Sequence, residues 1–515
     1  MARLVRWTAL TGAAVLLAAG CTGGSSGGAD AEGETDGARS PAASAGAATP
    51  LPSSLTSQKL DWGRCKATGD IPAPGDEWQC ATLEAPLDWT KPEGRTIDLA
   101  LIRAKATGDD RIGSLLFNFG GPGSSGTSTL PWYATNTSEL GERYDLVSWD
   151  PRGVGASEGV RCRGDKEIQA SESVDITPDT PAEETAYFRD AAAFGEGCQK
   201  SEGALLAHVS TTDTARDMDL MRQVLGDTKT HYFGISYGTE LGGVYAHLFP
   251  KNVGRLILDA VADPSADTAG HAENQTRGFQ RALNNYLRST GQDAEEGTRK
   301  IVNLLKRIDA SPLSTSSERK LTETLALTGL IQPLYSKASW PMLTSALEAA
   351  ERGDGTELLA LSDNYNDRDA SGRYGTGSHS QRVISCLDDK QRPTVEETKK
   401  LLPRFEKVSP VFGPMLGWDI GGWCHAWPVA GQYDTPEVSA PGAAPILVVG
   451  NTGDPATPYE GTRKMANELG KDVGVMLTWK GEGHGAYGKG SACVDSTVNA
   501  YLLEGSVPKD GKVCS

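Results

Sequence analysis

Apolar residues along this chain come in two rhythms. Short, nearly unbroken runs stand at residues 97–102 (IDLALI), 114–119 (SLLFNF), 144–149 (YDLVSW), 230–234 (THYFG), 253–259 (VGRLILD), 445–450 (PILVVG) and 474–479 (GVMLTW). Such runs, bounded by glycine, proline or aspartate, read as strands covered on both faces. Between them, apolar residues return every three or four positions at 211–225, 237–248 and 494–503. That spacing predicts helices, with Thr212 or Asp213 as the N-cap of the first. Strand and helix in alternation predict an α/β fold with a mostly parallel central sheet and helices on both faces.

From residue 259 to 445 the rhythm is helical, with amphipathic segments at 278–287, 321–334 and 340–352. A helical block spanning 265–435 therefore interrupts the sheet sequence. It is expected to lie as a cap over the carboxyl edge of the strands, where sheets of this class place their sites. The flanking stretches 56–264 and 436–515 then form two parts of one core.

The N-terminus has a different composition. Residues 22–55 are Gly, Ser, Ala, Thr, Asp and Glu with few large apolar side chains. They cannot bury enough surface to order themselves and read as a tether. Ahead of them, Arg3 and Arg6 precede an apolar run from Trp7 to Ala19, too short to span a bilayer. It reads as a secretory signal occupying residues 1–21. Leu17-Ala18-Ala19-Gly20-Cys21 resembles a bacterial lipobox, with Ala18 where lipoboxes usually carry Leu. The resemblance implies a diacylated Cys21 and an exported protein anchored on the extracellular face of the cell membrane, touching lipid only there. An ordinary signal peptide cut near Ala19 is the other reading.

The 515 residues include 67 acidic and 50 basic side chains, a net charge of −17. Such a surface repels phosphates and no basic cluster relieves it, which argues against a nucleic-acid partner. Beyond Cys21, the cysteines are Cys65, Cys80, Cys162, Cys198, Cys386, Cys424, Cys493 and Cys514. An even number in an exported chain points to disulfides. Sequence alone does not set their connectivity. Pairing neighbours gives 65–80, 162–198, 386–424 and 493–514, each closing a local loop. No two stand in C-x-x-C spacing, so no zinc or other metal site is expected. Oligomeric state is not legible.

Gly234-Ile235-Ser236-Tyr237-Gly238 carries the chemistry. It is a G-x-S-x-G segment between a strand and a helix, the arrangement of a nucleophile elbow in the α/β-hydrolase fold. A serine hydroxyl needs a base. Of the seven histidines, His231 and His247 lie in the strand and helix around the elbow. His208, His271, His379 and His425 precede the elbow or fall in the cap. His484 stands in a Gly-flanked loop after the last long strand and is the expected base. Asp454, in the loop after the 445–450 strand, is the expected acid that orients it, and Ser, Asp, His is the chain order of this fold. Two backbone N–H groups should form an oxyanion hole. Tyr237, next to the serine, supplies one. Gly121 of Gly120-Gly121-Pro122-Gly123 supplies the other, since Pro122 has no N–H. No G-K-[ST] follows this glycine-rich turn, which argues against a phosphate cradle. No cofactor is implied.

Phe119-Gly120-Gly121-Pro122-Gly123 resembles the H-G-G-P-G motif of proline iminopeptidases and tripeptidyl aminopeptidases, with Phe119 where many members carry His. Asp150-Pro151-Arg152-Gly153-Val154-Gly155-Ala156-Ser157 resembles their D-x-R-G-x-G-x-S segment. The elbow through Gly242, the stretch from Cys80 to Asp88, and the segments around Asp454 and His484 are similar as well, so the likeness spans roughly 60–515 outside a divergent cap. The resemblance implies a serine peptidase that releases short peptides, such as tripeptides, or single residues from free N-termini of peptide substrates. Such an enzyme needs carboxylates for the substrate ammonium. Glu240, Asp388 and Asp389 are the candidates, although a solvated acidic face accounts for any one of them. Trp418, Trp423 and Trp427 either line the pocket or pack the cap.

Two other readings stay open. A carboxylesterase or lipase would use the same triad, because fold does not set substrate. A non-catalytic envelope binding protein would keep the scaffold without the reaction.

Overall fold

The computed structural model describes residues 51–67 and 72–515. The signal segment, Cys21 and most of the tether lie outside the described residues. Ahead of residue 56, the boundary drawn from composition, Ser53–Thr56 form a helical turn and Leu55 is buried in the core.

The described residues form one ten-stranded sheet. Its strands are β1 (Gly63–Arg64), β2 (Trp78–Pro86), β3 (Thr96–Ala104), β4 (Gly113–Asn118), β5 (Tyr144–Trp149), β6 (Thr230–Ile235), β7 (Val253–Asp259), β8 (Ile446–Gly453), β9 (Gly474–Glu482) and β10 (Lys512–Cys514), in the order β1-β2-β3-β5-β4-β6-β7-β8-β9-β10. Pairing is antiparallel from β1 through β3 to β5 and parallel from there on. The chain runs from β4 to β5 on one side, then crosses to β6 on the other side of β4. Loops leaving β4 and β6 therefore diverge at the carboxyl edge and open a crevice there.

The apolar runs alternate between two faces. Leu116, Leu256, Leu258 and Val448 join a core with Met218, Leu241 and Val244 from the helices Thr211–Val224 and Tyr237–Leu248. Leu115, Phe117, Phe233, Ile257 and Val449 join an opposite core with Val494, Val498 and Tyr501 of the helix Ala492–Glu504. Both faces of these central strands are covered, whereas β2 and β3 at the antiparallel end carry exposed polar residues such as Glu84 and Asp98. The helix Thr211–Val224 starts where the spacing placed it, but its cap lies two residues before Thr212 and three before Asp213. Its N-cap is Ser210, whose Oγ accepts the N–H of Asp213, because Thr211 is already helical.

Helices from Thr268–Ser289 to Gly413–Gly422 stand between β7 and β8. They hold a core of their own, with Phe279, Leu283, Ile301, Leu330, Leu343, Phe405 and Phe412. The helix Gly377–Asp388 differs, because Val383, Ile384 and Leu387 face the sheet core. Trp418 packs on Tyr187 and Phe188, Trp427 stacks on Phe194, and Trp423 lies beneath Arg382. Their role is packing. Disulfides join Cys65 to Cys80, Cys162 to Cys198, Cys386 to Cys424 and Cys493 to Cys514.

Candidate active site

The turn from β6 into Tyr237–Leu248 is too tight for ordinary backbone angles. Ser236 has φ 59° and ψ −125°, a conformation a non-glycine residue holds only when its surroundings enforce it. A Cβ on Gly234 would lie 2.2 Å from the Gly238 carbonyl oxygen, and one on Gly238 would lie 2.8 Å from that of Asn118. The glycines of G-x-S-x-G are there for close approach. The turn is tied down by Ser236 N–H donating to the Asp259 carbonyl at 3.0 Å and Thr239 Oγ1 donating to the Ser236 carbonyl at 2.7 Å.

The loop after β4 backs onto this turn. Gly121 and Tyr237 line one cavity with Ser236. Asp150, at the end of β5, holds the chain beyond that loop: its carboxylate accepts Ser125 Oγ at 2.7 Å, Thr127 N–H at 3.0 Å and Ala156 N–H at 2.8 Å. Arg152 is fully buried. Its guanidinium donates to both oxygens of Asp217 at 2.6 and 2.7 Å and to the carbonyls of Pro86, Leu87 and His208. The D-x-R-G segment is thus a brace and lies outside the cavity.

His484 Nδ1 stands 2.9 Å from Oδ1 and 3.0 Å from Oδ2 of Asp454. A carboxylate only accepts, so Nδ1 carries a proton, and in the neutral imidazole the lone pair is on Nε2. Asp454 is fully buried and also accepts the N–H groups of Ala456, Thr457 and Gly485 at 3.0, 2.9 and 3.1 Å. Thr457 Oγ1 lies 3.4 Å from Nδ1. The loop of His484 is bonded to Asp259, whose carboxylate accepts Ala486 and Tyr487 N–H groups at 2.9–3.1 Å. In register, Asp259 pairs with Ile235, the residue before Ser236. Ser236, Asp454 and His484 therefore share one sheet edge. Burial raises the Asp259 carboxyl above its usual range, against the pull of those two N–H groups.

Two cavities adjoin at the elbow, one of them lined by Ser236. One, of about 560 Å³, is bounded by Gly121, Ser236, Tyr237 and Thr457; the other, of about 400 Å³, by Asp388, Asp389 and Tyr433. Tyr237, Glu240 and His271 line both. The three acidic candidates for an amine site are brought together but are not equivalent. Asp388 is committed: Oδ1 accepts Thr211 N–H at 2.9 Å and Oδ2 accepts Thr211 Oγ1 at 2.6 Å. Asp389 accepts Thr268 Oγ1 at 3.0 Å and Gln391 N–H at 2.9 Å. Glu240 accepts one longer bond, from Tyr433 Oη at 3.3 Å. It is enclosed by protein yet open to the cavity, and desolvation pushes its carboxyl up to about 7. Burial, with Glu240 alongside, also raises Asp388 well above the carboxylate range. Burial holds Asp389 at about 6 and keeps the His271 imidazole below its ordinary value.

The sequence reading did not single out His271 and Tyr433 for this cavity. They lie far from Glu240 along the chain, and only the folding of the segment between β7 and β8 brings them to it. Asp259, as the last residue of a strand run, carried a signal that position alone offered.

The family model described as TAP-like protein matches residues 409–514. Serine protease Hip1 of Mycobacterium tuberculosis is 36% identical over 486 residues, covering 89% of this chain and 91% of that protein. Carboxylesterase B of the same organism is 34% identical over 456 residues, 85% and 86% of the two chains. Tripeptidyl aminopeptidase of Streptomyces lividans is 30% identical over 477 residues, 88% and 86% of the two.

Proposed function

We infer the activity from one premise: the chain belongs to the TAP-like family of α/β-hydrolases, with serine protease Hip1 and tripeptidyl aminopeptidase among its relatives. It is a serine hydrolase of the peptidase type, acting on peptides. The finer reading is ours: an aminopeptidase that removes short peptides or single residues from free N-termini. The observation that carries it is Glu240, a carboxylate one helical turn beyond Ser236, with a single weak protein partner and an open cavity in front. An enclosed carboxylate with so weak a partner suits a substrate ammonium, which supplies both charge and hydrogen bonds.

In this reading Ser236 Oγ attacks the scissile carbonyl carbon and its proton passes to His484 Nε2. Asp454 stabilises the imidazolium that results. The Gly121 and Tyr237 N–H groups receive the oxyanion. The C–N bond breaks as the leaving amine takes the proton from His484, leaving an ester on Ser236. Water, deprotonated by His484, then hydrolyses that ester and restores the hydroxyl.

The test is a panel of free-amine and N-blocked di- and tripeptide amides, with simple esters beside them. Preference for free-amine amides, abolished in Ser236→Ala, is expected. Equal or better turnover of blocked amides, or of esters alone, overturns the aminopeptidase reading and favours the carboxylesterase one.

The disulfides support export to an oxidising compartment. Anchoring through Cys21 is tested by radiolabelled palmitate incorporation in cells. Label in Cys21→Ser equal to that in the unaltered protein overturns it.

A further inference from the structure

The nucleophile and the oxyanion loop grow from the sheet core. The acid and base loops do not rest on that core alone, because both lean on the cap. Tyr335 follows the cap helix Glu323–Leu334. Its carbonyl accepts the backbone N–H of His484 at 2.8 Å, and its ring meets the imidazole edge-on, 5.4 Å between centroids at 89°. The Tyr335 ring also packs on Phe279, a member of the cap's own core. Asn285, also from the cap, donates through Nδ2 to both carboxylate oxygens of Glu482, two residues before the histidine, at 3.0 and 3.2 Å. The acid loop is seated in the same way. Ala456 is a member of the cap's apolar core, and Gly278 sits so close to Pro455 that a Cβ there would lie 2.2 Å from its carbonyl oxygen.

We propose that the cap positions the acid–base pair itself, and that Tyr335 is the positioning residue that holds the His484 imidazole in plane. This rests on the reading of His484 as the base. A cap that only covered the substrate would need no backbone bond to the base and no ring against it. Asp454 fixes one edge of the imidazole, which leaves rotation about the Cβ–Cγ bond and tilt of the loop. The ring of Tyr335 limits the first and its carbonyl the second. Small misplacements of a catalytic group are costly, about a hundredfold in rate for ~1 Å. Seating of the cap therefore sets the chemical step as well as access to it.

The experiment uses the full chain and a small fluorophosphonate with no peptide part, which needs Ser236 and its base but no substrate contact to the cap. Labelling rate, its pH profile, and kcat and KM on a free-amine tripeptide amide are measured for Tyr335→Leu, Tyr335→Phe and Asn285→Ala. For Tyr335→Leu, labelling and kcat are expected to fall together by about tenfold or more with KM within about twofold, from the cost of misplacement. Tyr335→Phe keeps the ring and should label at the unaltered rate. If Tyr335→Leu does not fold, Asn285→Ala decides, with labelling slowed about threefold expected on the same ground. Labelling at the unaltered rate with only KM raised overturns the proposal. His484→Ala separates the two readings. Unaltered labelling there sinks the triad. A dead His484→Ala beside a normal Tyr335→Leu sinks the positioning role alone.

Discussion

Gly120 stands so close behind Ser236 that a Cβ built on it would lie 2.9 Å from Ser236 Cβ and 2.5 Å from the carbonyl oxygen of Ile235. Its φ of 83° is also one that L side chains rarely adopt. Both obstacles are backbone or Cβ atoms, which cannot swing aside. Gly120→Ala must push the oxyanion loop away from the elbow. The expected outcome is loss of about a hundredfold or more in kcat, the cost of one misplaced oxyanion donor. Fluorophosphonate labelling should slow in parallel. Unaltered kinetics in a folded Gly120→Ala protein would show that this contact does not set the geometry of attack.

Asp454 accepts His484 Nδ1–H and three backbone N–H groups. Asp454→Asn is nearly isosteric, but its amide brings N–H donors where only acceptors fit. The imidazole then favours the tautomer with its lone pair on Nδ1, and Nε2 no longer takes the Ser236 proton. A fall in kcat of about 10³–10⁴-fold with little change in KM is expected. Steady-state kinetics on a peptide amide measure it, and a fall of less than tenfold would remove Asp454 from the acid's role.

Arg152 and Asp217 are both fully buried and doubly bonded to each other. Burial dominates the Asp217 carboxyl and raises it despite the arginine. Arg152→Met leaves that carboxyl without its counter-ion and frees the carbonyls of Pro86, Leu87 and His208. A loss of about 3–5 kcal/mol is expected, measured by denaturant unfolding. The double variant Arg152→Met/Asp217→Leu should recover part of it. Because the pair lies outside the cavity, the fraction that remains folded should keep its kcat.

The strands and the elbow were readable because their physics is local. Parallel strands covered on both faces must be continuous apolar runs, so 144–149 and 253–259 coincide with β5 and β7 residue for residue. The helix after Ser236 likewise spans the 237–248 predicted. β2 is half-exposed along one side and has a weaker pattern. It could be picked out only through resemblance. Between β7 and β8, Ala294–Ala310 and Val395–Val408 are amphipathic helices whose abundant charges mask the apolar spacing. The long-range pairings were beyond reach. Nothing near Tyr335 in the chain announces that its carbonyl meets His484. Nothing near Asp388 announces that Thr211, not a ligand, takes both its oxygens.

In the proposed amine site, protonation of Glu240 acts on substrate recognition and on stability in opposite directions. Burial raises its carboxyl from 4.5 to about 7. A raised carboxyl binds its proton more tightly in the folded state, so folding stability falls as pH rises from the unfolded value near 4.5 to about 7, then levels off. Glu240→Gln carries no such charge. At pH 8 it should be more stable than the unaltered protein by roughly 1–3 kcal/mol, with the gap closing below pH 5. Binding of an ammonium runs the other way, because it needs the carboxylate. KM for a free-amine tripeptide amide should rise as pH falls through 7, by up to about tenfold per pH unit. In Glu240→Gln that KM should be high and flat across pH 5–8, while N-blocked substrates and fluorophosphonate labelling change little. Thermal melts at the two pH values and KM profiles on the paired substrates check both halves. A pH-independent KM in the unaltered protein would place the amine elsewhere in the cavity.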